Sequence, residues 1–155
     1  FGYVAIDSMA IASQTLISEH ISKGIKYFKS KLYSNLIQLT AGFSILLFII
    51  SYLFIDKLII FVAGESFSIV NNSELRLLFS ISLFIGSFAF LWDGVLLGLD
   101  KVYEFSLITI LSSIIGIIVC IYLVGINQNI NSLWTALVAS LTIRSCLGYA
   151  FQRTE

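Results

Sequence analysis

From Phe105 to Ile143 the chain runs 39 residues without a charged side chain, too long a stretch for a helix in a soluble core. A bilayer core about 30 Å thick is crossed by about 20 apolar residues of α-helix, so the stretch has room for two crossings. Its midpoint, Gly125-Ile126-Asn127-Gln128-Asn129-Ile130-Asn131, is a polar, turn-forming segment where the chain can surface and reverse. Composition agrees: 58% of residues are apolar and 12% charged, which leaves too little polar surface for a soluble exterior. The surroundings expected are therefore a lipid bilayer. A net charge of zero with no basic stripe gives no reason to expect nucleic acid.

Uncharged windows predict an all-α integral membrane protein, a single transmembrane domain over residues 1–155. About five transmembrane helices are expected, at about 3–18, 32–55, 77–99, 105–124 and 133–151. The first is a partial pass, since it carries Asp7 and Gln14, and 58–63 is expected to be a separate interfacial piece. Phe1 is no initiator methionine and no basic region precedes a cleavage site, so the reading is a piece of a longer product without a signal peptide. Lys23, Lys26, Lys29 and Lys31 cluster in the first connection, which positive-inside orientation places in the cytoplasm. Alternation then puts 56–76 and 125–131 outside, and 100–104 and the C-terminus inside: a multi-pass protein of the cell membrane.

Asp93 most needs explaining, because a carboxylate deep in a membrane helix costs about 2.5–3.5 kcal/mol on insertion scales unless it is paired, protonated or hydrated. Helical spacing groups it with Ser82, Gly86 and Ala89 on an inward face, and Phe84, Phe88, Leu91 and Val95 on a lipid face. Asp7 and Gln14 stand seven apart and project from one side of the first helix, where they can line a polar path. Arg144 fits either snorkelling or pairing with an acid such as Asp93 or Asp100. These four are the transport or gating candidates. Gly86, Gly94 and Gly98 are the helix-packing candidates, the last two at small-xxx-small spacing.

Catalysis has no foothold. The hydroxyls have no histidine near them, His20 has no second metal ligand at binding spacing, and Cys120 and Cys146 lie in apolar runs that suit packed thiols. The expectation is no enzyme, no metal site and no cofactor. Trp92, Trp134 and Tyr149 read as interfacial or packing aromatics.

Three segments together resemble the C-terminal part of a multidrug and toxic compound extrusion (MATE) transporter of the DinF-like branch. Phe90-Leu91-Trp92-Asp93-Gly94-Val95-Leu96-Leu97-Gly98 is similar to the Leu-Asp-Gly-Val-x-x-Gly signature. Ser13-Gln14-Thr15-Leu16-Ile17-Ser18, with the lysine-bearing loop after it, resembles the Gly-Gln-x-Leu-Gly helix ending, and Asn131 to Leu137 with Ile143-Arg144 resembles Gly-Leu-Trp-x-Ala and its following Arg. Ser13, Ser18 and Asn131-Ser132 stand where the family has glycine. The resemblance implies helices eight to twelve of a twelve-helix, two-lobe antiporter that exports small amphipathic compounds by alternating access, with a proton or sodium ion as coupling ion and the N-terminal lobe as partner. The cation-binding acid of sodium-coupled relatives would fall near Gly86, so that role does not pass to Asp93. Two alternatives stand beside it: a lipid-linked oligosaccharide flippase of the same superfamily, against which the scarcity of membrane cations leans, and a non-transporting scaffold subunit.

Overall fold

In a medium without water, only a helix or a closed barrel satisfies every backbone N–H and C=O, and this chain takes the helical solution. The computed structural model describes residues 2–23, 29–63, 73–127 and 130–152. They form α1 (Gly2–Ser22), α2 (Lys29–Ala63), α3 (Ser73–Gly98), α4 (Val102–Asn127) and α5 (Ile130–Gln152). Four stretches are long and apolar enough to cross a bilayer: Lys31–Lys57, Ser73–Gly98, Val102–Ile126 and Asn131–Gln152. The chain is a helical membrane protein.

α1 is not among the four, in keeping with its reading as a partial pass, so four of the about five expected helices are long and apolar enough to span. Besides Asp7 and Gln14 it carries Ser8, Ser13, Thr15 and Ser18, whose hydroxyls donate to carbonyls of their own helix. That local bonding makes the hydroxyls tolerable in an apolar setting while lowering the helix's affinity for lipid. α2 continues unbroken to Ala63, so 58–63 extends the spanning helix and is no separate interfacial piece. The polar turn is shorter than 125–131, because α4 runs to Asn127 and α5 resumes at Ile130. Lys26 and the middle of the 56–76 connection lie outside the described residues.

α3 is the hub, packing along α1, α2 and α5, while α4 is held mainly by α5. Register pairs give the directions. α3 meets α1 and α5 in parallel (Gly94 with Ala10, Gly98 with Gln14; Phe79 with Trp134, Asp93 with Arg144). It meets α2 antiparallel, through a Ser51–Ser80 hydroxyl hydrogen bond of 3.0 Å and an Asp56–Arg76 ion pair. The central position explains a correction: Leu91 and Val95, expected on a lipid face, are 1% and 0% exposed. They pack with Ile17, Leu36 and Trp92 in the core, since α2 covers the side of α3 that periodicity alone assigned to lipid. Exposed apolar side chains lie elsewhere, chiefly Ile110, Ile114, Ile117, Ile118 and Ile121 of α4 and Leu39, Ile45, Leu46 and Leu53 of α2. An apolar patch of this size is incompatible with water.

The turn from α3 to α4 is a Schellman cap. Lys101 N–H donates to the Leu96 carbonyl (2.9 Å) and Asp100 N–H to that of Leu97 (3.1 Å). Asp100 takes the left-handed conformation this requires, with φ 61°, which Asp tolerates better than bulkier side chains. The cap reverses the chain within a few residues and delivers Phe105 beside the C-terminal half of α3.

Candidate functional site

Asp93 of α3 and Arg144 of α5 face each other inside the bundle. Arg144 Nη2 lies 2.8 Å from Asp93 Oδ2, and Nε donates to Oδ1 at 3.2 Å. The side chains are 8% and 19% exposed. The Nη2 approach is a charge contact, and Oδ2 is buried without a hydrogen bond among the described residues. A carboxylate oxygen in that state has an unfilled demand for a donor. Arg144 is held from two further sides: its guanidinium carbon lies 5.6 Å from the Phe90 ring centre and 5.8 Å from that of Phe105. Such cation–π contacts contribute about 0.5–2 kcal/mol each depending on desolvation.

The pair forms one wall of a cavity of about 170 Å³. α1 supplies Asp7, Ala10 and Gln14, α3 supplies Phe90, Asp93 and Gly94, and Phe105 and Arg144 come from α4 and α5. All four candidates from the sequence, Asp7, Gln14, Asp93 and Arg144, therefore line one space. Asp7 and Gln14 are the exposed members and Asp93 and Arg144 the sheltered ones.

Glycines set the separation of the walls. A Cβ on Gly94 would collide with the Ala10 carbonyl oxygen, and one on Gly98 would lie 2.9 Å from the Gln14 carbonyl oxygen and from Ile17 Cβ. α1 is thus seated backbone-to-helix on α3 through the Gly94-xxx-Gly98 step, which brings Asp7 and Gln14 to the cavity. Gly86 differs from the expectation. A Cβ there would meet Leu141 at 3.7 Å, an ordinary distance, so no close approach depends on it. Two glycines the sequence reading passed over are tight instead, Gly148 against Trp92 and Gly116 against Ser140. The signal for Gly116 was the four-residue spacing of Ser112 with Gly116 and of Ala136 with Ser140; Ser140 donates to the Ser112 carbonyl at 2.9 Å across that seam. Phe90 and Phe105 were also missed as partners of Arg144. Phe90, one turn before Asp93, was legible as its face-mate, whereas Phe105 reaches the site only through the α3–α4 turn.

Both thiols are free; Cys120 is half-buried, whereas Cys146 is exposed and departs from the packed thiol expected. Trp92 is buried against Tyr149, with ring centres 5.3 Å apart, and Trp134 meets Phe79 edge-on at 5.1 Å. Among the described residues no group of His, Cys, Asp and Glu has the arrangement to hold a metal ion. Compared with protein-family models, with curated proteins and with solved structures, the chain matches none.

Proposed function

We propose that the chain is the C-terminal lobe portion of a proton- or cation-coupled efflux antiporter of MATE type, exporting small amphipathic compounds across the cell membrane. In this reading it works with an N-terminal lobe, the lysine cluster and C-terminus face the cytoplasm, and no step involves catalysis. The observation that carries the reading is the convergence of Asp7, Gln14, Asp93 and Arg144 on one cavity between four helices. An ion pair at that depth has two stable arrangements: closed, as found, or opened with a proton or cation on Asp93 in place of Arg144. Opening without such a replacement would strand a buried charge, at about 3–5 kcal/mol. A coupling ion that lowers this cost therefore biases α5 against α3, which is what exchange between inward- and outward-facing states requires.

The test is transport by the full protein in proteoliposomes under an imposed proton or sodium gradient, read with a fluorescent amphipathic cation. Gradient-driven flux that is lost in Asp93→Asn at unchanged protein abundance supports the reading. Flux that is absent in the parent protein, or unchanged in Asp93→Asn, sinks it. Labelling of Lys23 or Lys31 from outside intact cells would reverse the proposed orientation.

A further inference from the structure

The register of three helices decides which carboxylates Arg144 can reach. α1 runs parallel to α3, with Gly94 seated on Ala10 and Gly98 on Gln14, a constant offset of 84 in residue number. α5 also runs parallel to α3, with Phe79 against Trp134 and Gly86 against Leu141, a constant offset of 55. On that scale Arg144 stands level with Ala89 of α3 and Asp7 level with Leu91, while Asp93 lies one step further along the same direction. At a rise of about 1.5 Å per residue, Asp7 is about 3 Å along the bundle from the Arg144 level and Asp93 about 6 Å. The guanidinium therefore passes the level of Asp7 on its way to Asp93, and both carboxylates line the same cavity of about 170 Å³.

Charge leaves this arrangement incomplete. The described lining holds two carboxylates, Asp7 and Asp93, against one cation, Arg144. No other charge faces Asp93 among the described residues: α4 brings Phe105 to the cavity, and α2 meets this stretch of α3 with Leu36 and Ile37. Asp7 takes part in no ion pair among the described residues. Arg144 for its part commits a single N–H to a hydrogen bond, from Nε to Asp93 Oδ1, although a guanidinium carries a fork of donors suited to two parallel bonds on one carboxylate. The Phe90 and Phe105 rings that flank the guanidinium also border the cavity, so cation–π attraction persists as the group moves between the walls.

We infer that Asp7 is the second seat of Arg144. When a proton joins the Asp93 carboxylate, the guanidinium crosses the cavity to Asp7, and α5 exchanges its charge link to α3 for one to α1. One proton is taken up, one O–H bond forms on Asp93, and the described lining becomes neutral. Asp7 is a positioning residue here: it holds the opened state without leaving the arginine unpaired. The inference rests on the coupling role proposed for Asp93 and supplies the partner that the opened pair needs.

The test uses the full protein in detergent at neutral pH, with the helicity midpoint along an SDS titration as readout. Asp93→Asn imitates the protonated carboxylate. In that background Asp7→Asn removes the last partner of Arg144, and it should lower the midpoint by about three times or more the loss it causes in the parent, the ratio between stranding a sheltered charge and deleting an exposed one. Arg144→Gln added to the double variant should cancel the excess, and Asp7→Glu should cost little in either background. Equal losses from Asp7→Asn in the two backgrounds overturn the inference, and so does an excess that Arg144→Gln leaves in place. Should the double variant not fold, Arg144→Gln must restore its folding, and failure to do so is equally contrary. None of these readouts is transport. Flux that depends on Asp93 together with equal losses removes only the hand-over to Asp7, whereas excess loss in a protein without gradient-driven flux keeps the hand-over and removes its coupling role.

Discussion

Two Asp–Arg pairs tie α3 to its neighbours, and they sit in different worlds. Arg76 meets Asp56 of α2 near the start of α3, with side chains 29% and 24% exposed. Close by, Asn131 donates to Glu74 at 2.7 Å, and Arg76 lies over the Tyr52 ring. That end of the bundle is a polar rim whose charges have several partners. Asp93 and Arg144 meet at 8% and 19% exposure, with two aromatic rings beside the guanidinium. The same two residue types thus form a fastening in one place and a poised contact in the other. The difference lies in what replaces a lost partner: water and several polar neighbours at the rim, and in the interior a proton, another cation or the few polar groups of the cavity.

Breaking the inner pair should have the largest effect. Arg144→Ala strands Asp93 and should lower stability in detergent by about 3–5 kcal/mol, measured as loss of helicity along an SDS titration, with Asp93→Asn on the same chain restoring part of it. Gly94→Leu comes next, because the new side chain must displace the α1 backbone at Ala10; overpacking of this kind costs about 1–3 kcal/mol and should detach α1, read as faster protease cleavage between α1 and α2. Arg76→Ala at the rim should cost about 0.2–1 kcal/mol, as partly exposed pairs do, and the cost should shrink in high salt, unlike that of Arg144→Ala. The smallest effect belongs to Glu19, whose carboxyl is held below its ordinary value by the hydrogen bond and charge of Lys23. A depressed carboxylate contributes stability above its unfolded-state range and loses it as pH falls through its folded-state value. Acidification should therefore fray the end of α1 slightly in the parent and not in Glu19→Gln, visible in amide exchange of residues 19–22.

Much of the fold was legible because the spanning stretches announce themselves by absence of charge, which needs no knowledge of neighbours. The inward turn of Asp93 was legible for a similar reason, since lipid forbids the alternative. Its partner was not, because whether Arg144 snorkels or pairs depends on the rotation and register of α5 against α3, set by contacts such as Gly148 on Trp92. Leu91 and Val95 were misplaced because periodicity describes one helix at a time and cannot count the helices around it; α3 packs along three and touches the fourth. Gly86 looked like a packing glycine by composition, yet close approach is decided by what stands opposite, and opposite it stands the flexible end of Leu141.

The most direct test of the inner pair is a double-mutant cycle on Asp93→Asn and Arg144→Gln, with unfolding in detergent as the readout. Neighbours that share a buried charge contact should show a coupling of about 1–3 kcal/mol, so that the double variant is more stable than the two single losses together allow. Losses that add to within about 0.5 kcal/mol would mean the two side chains do not hold each other, and the poised pair on which the functional reading rests would not exist.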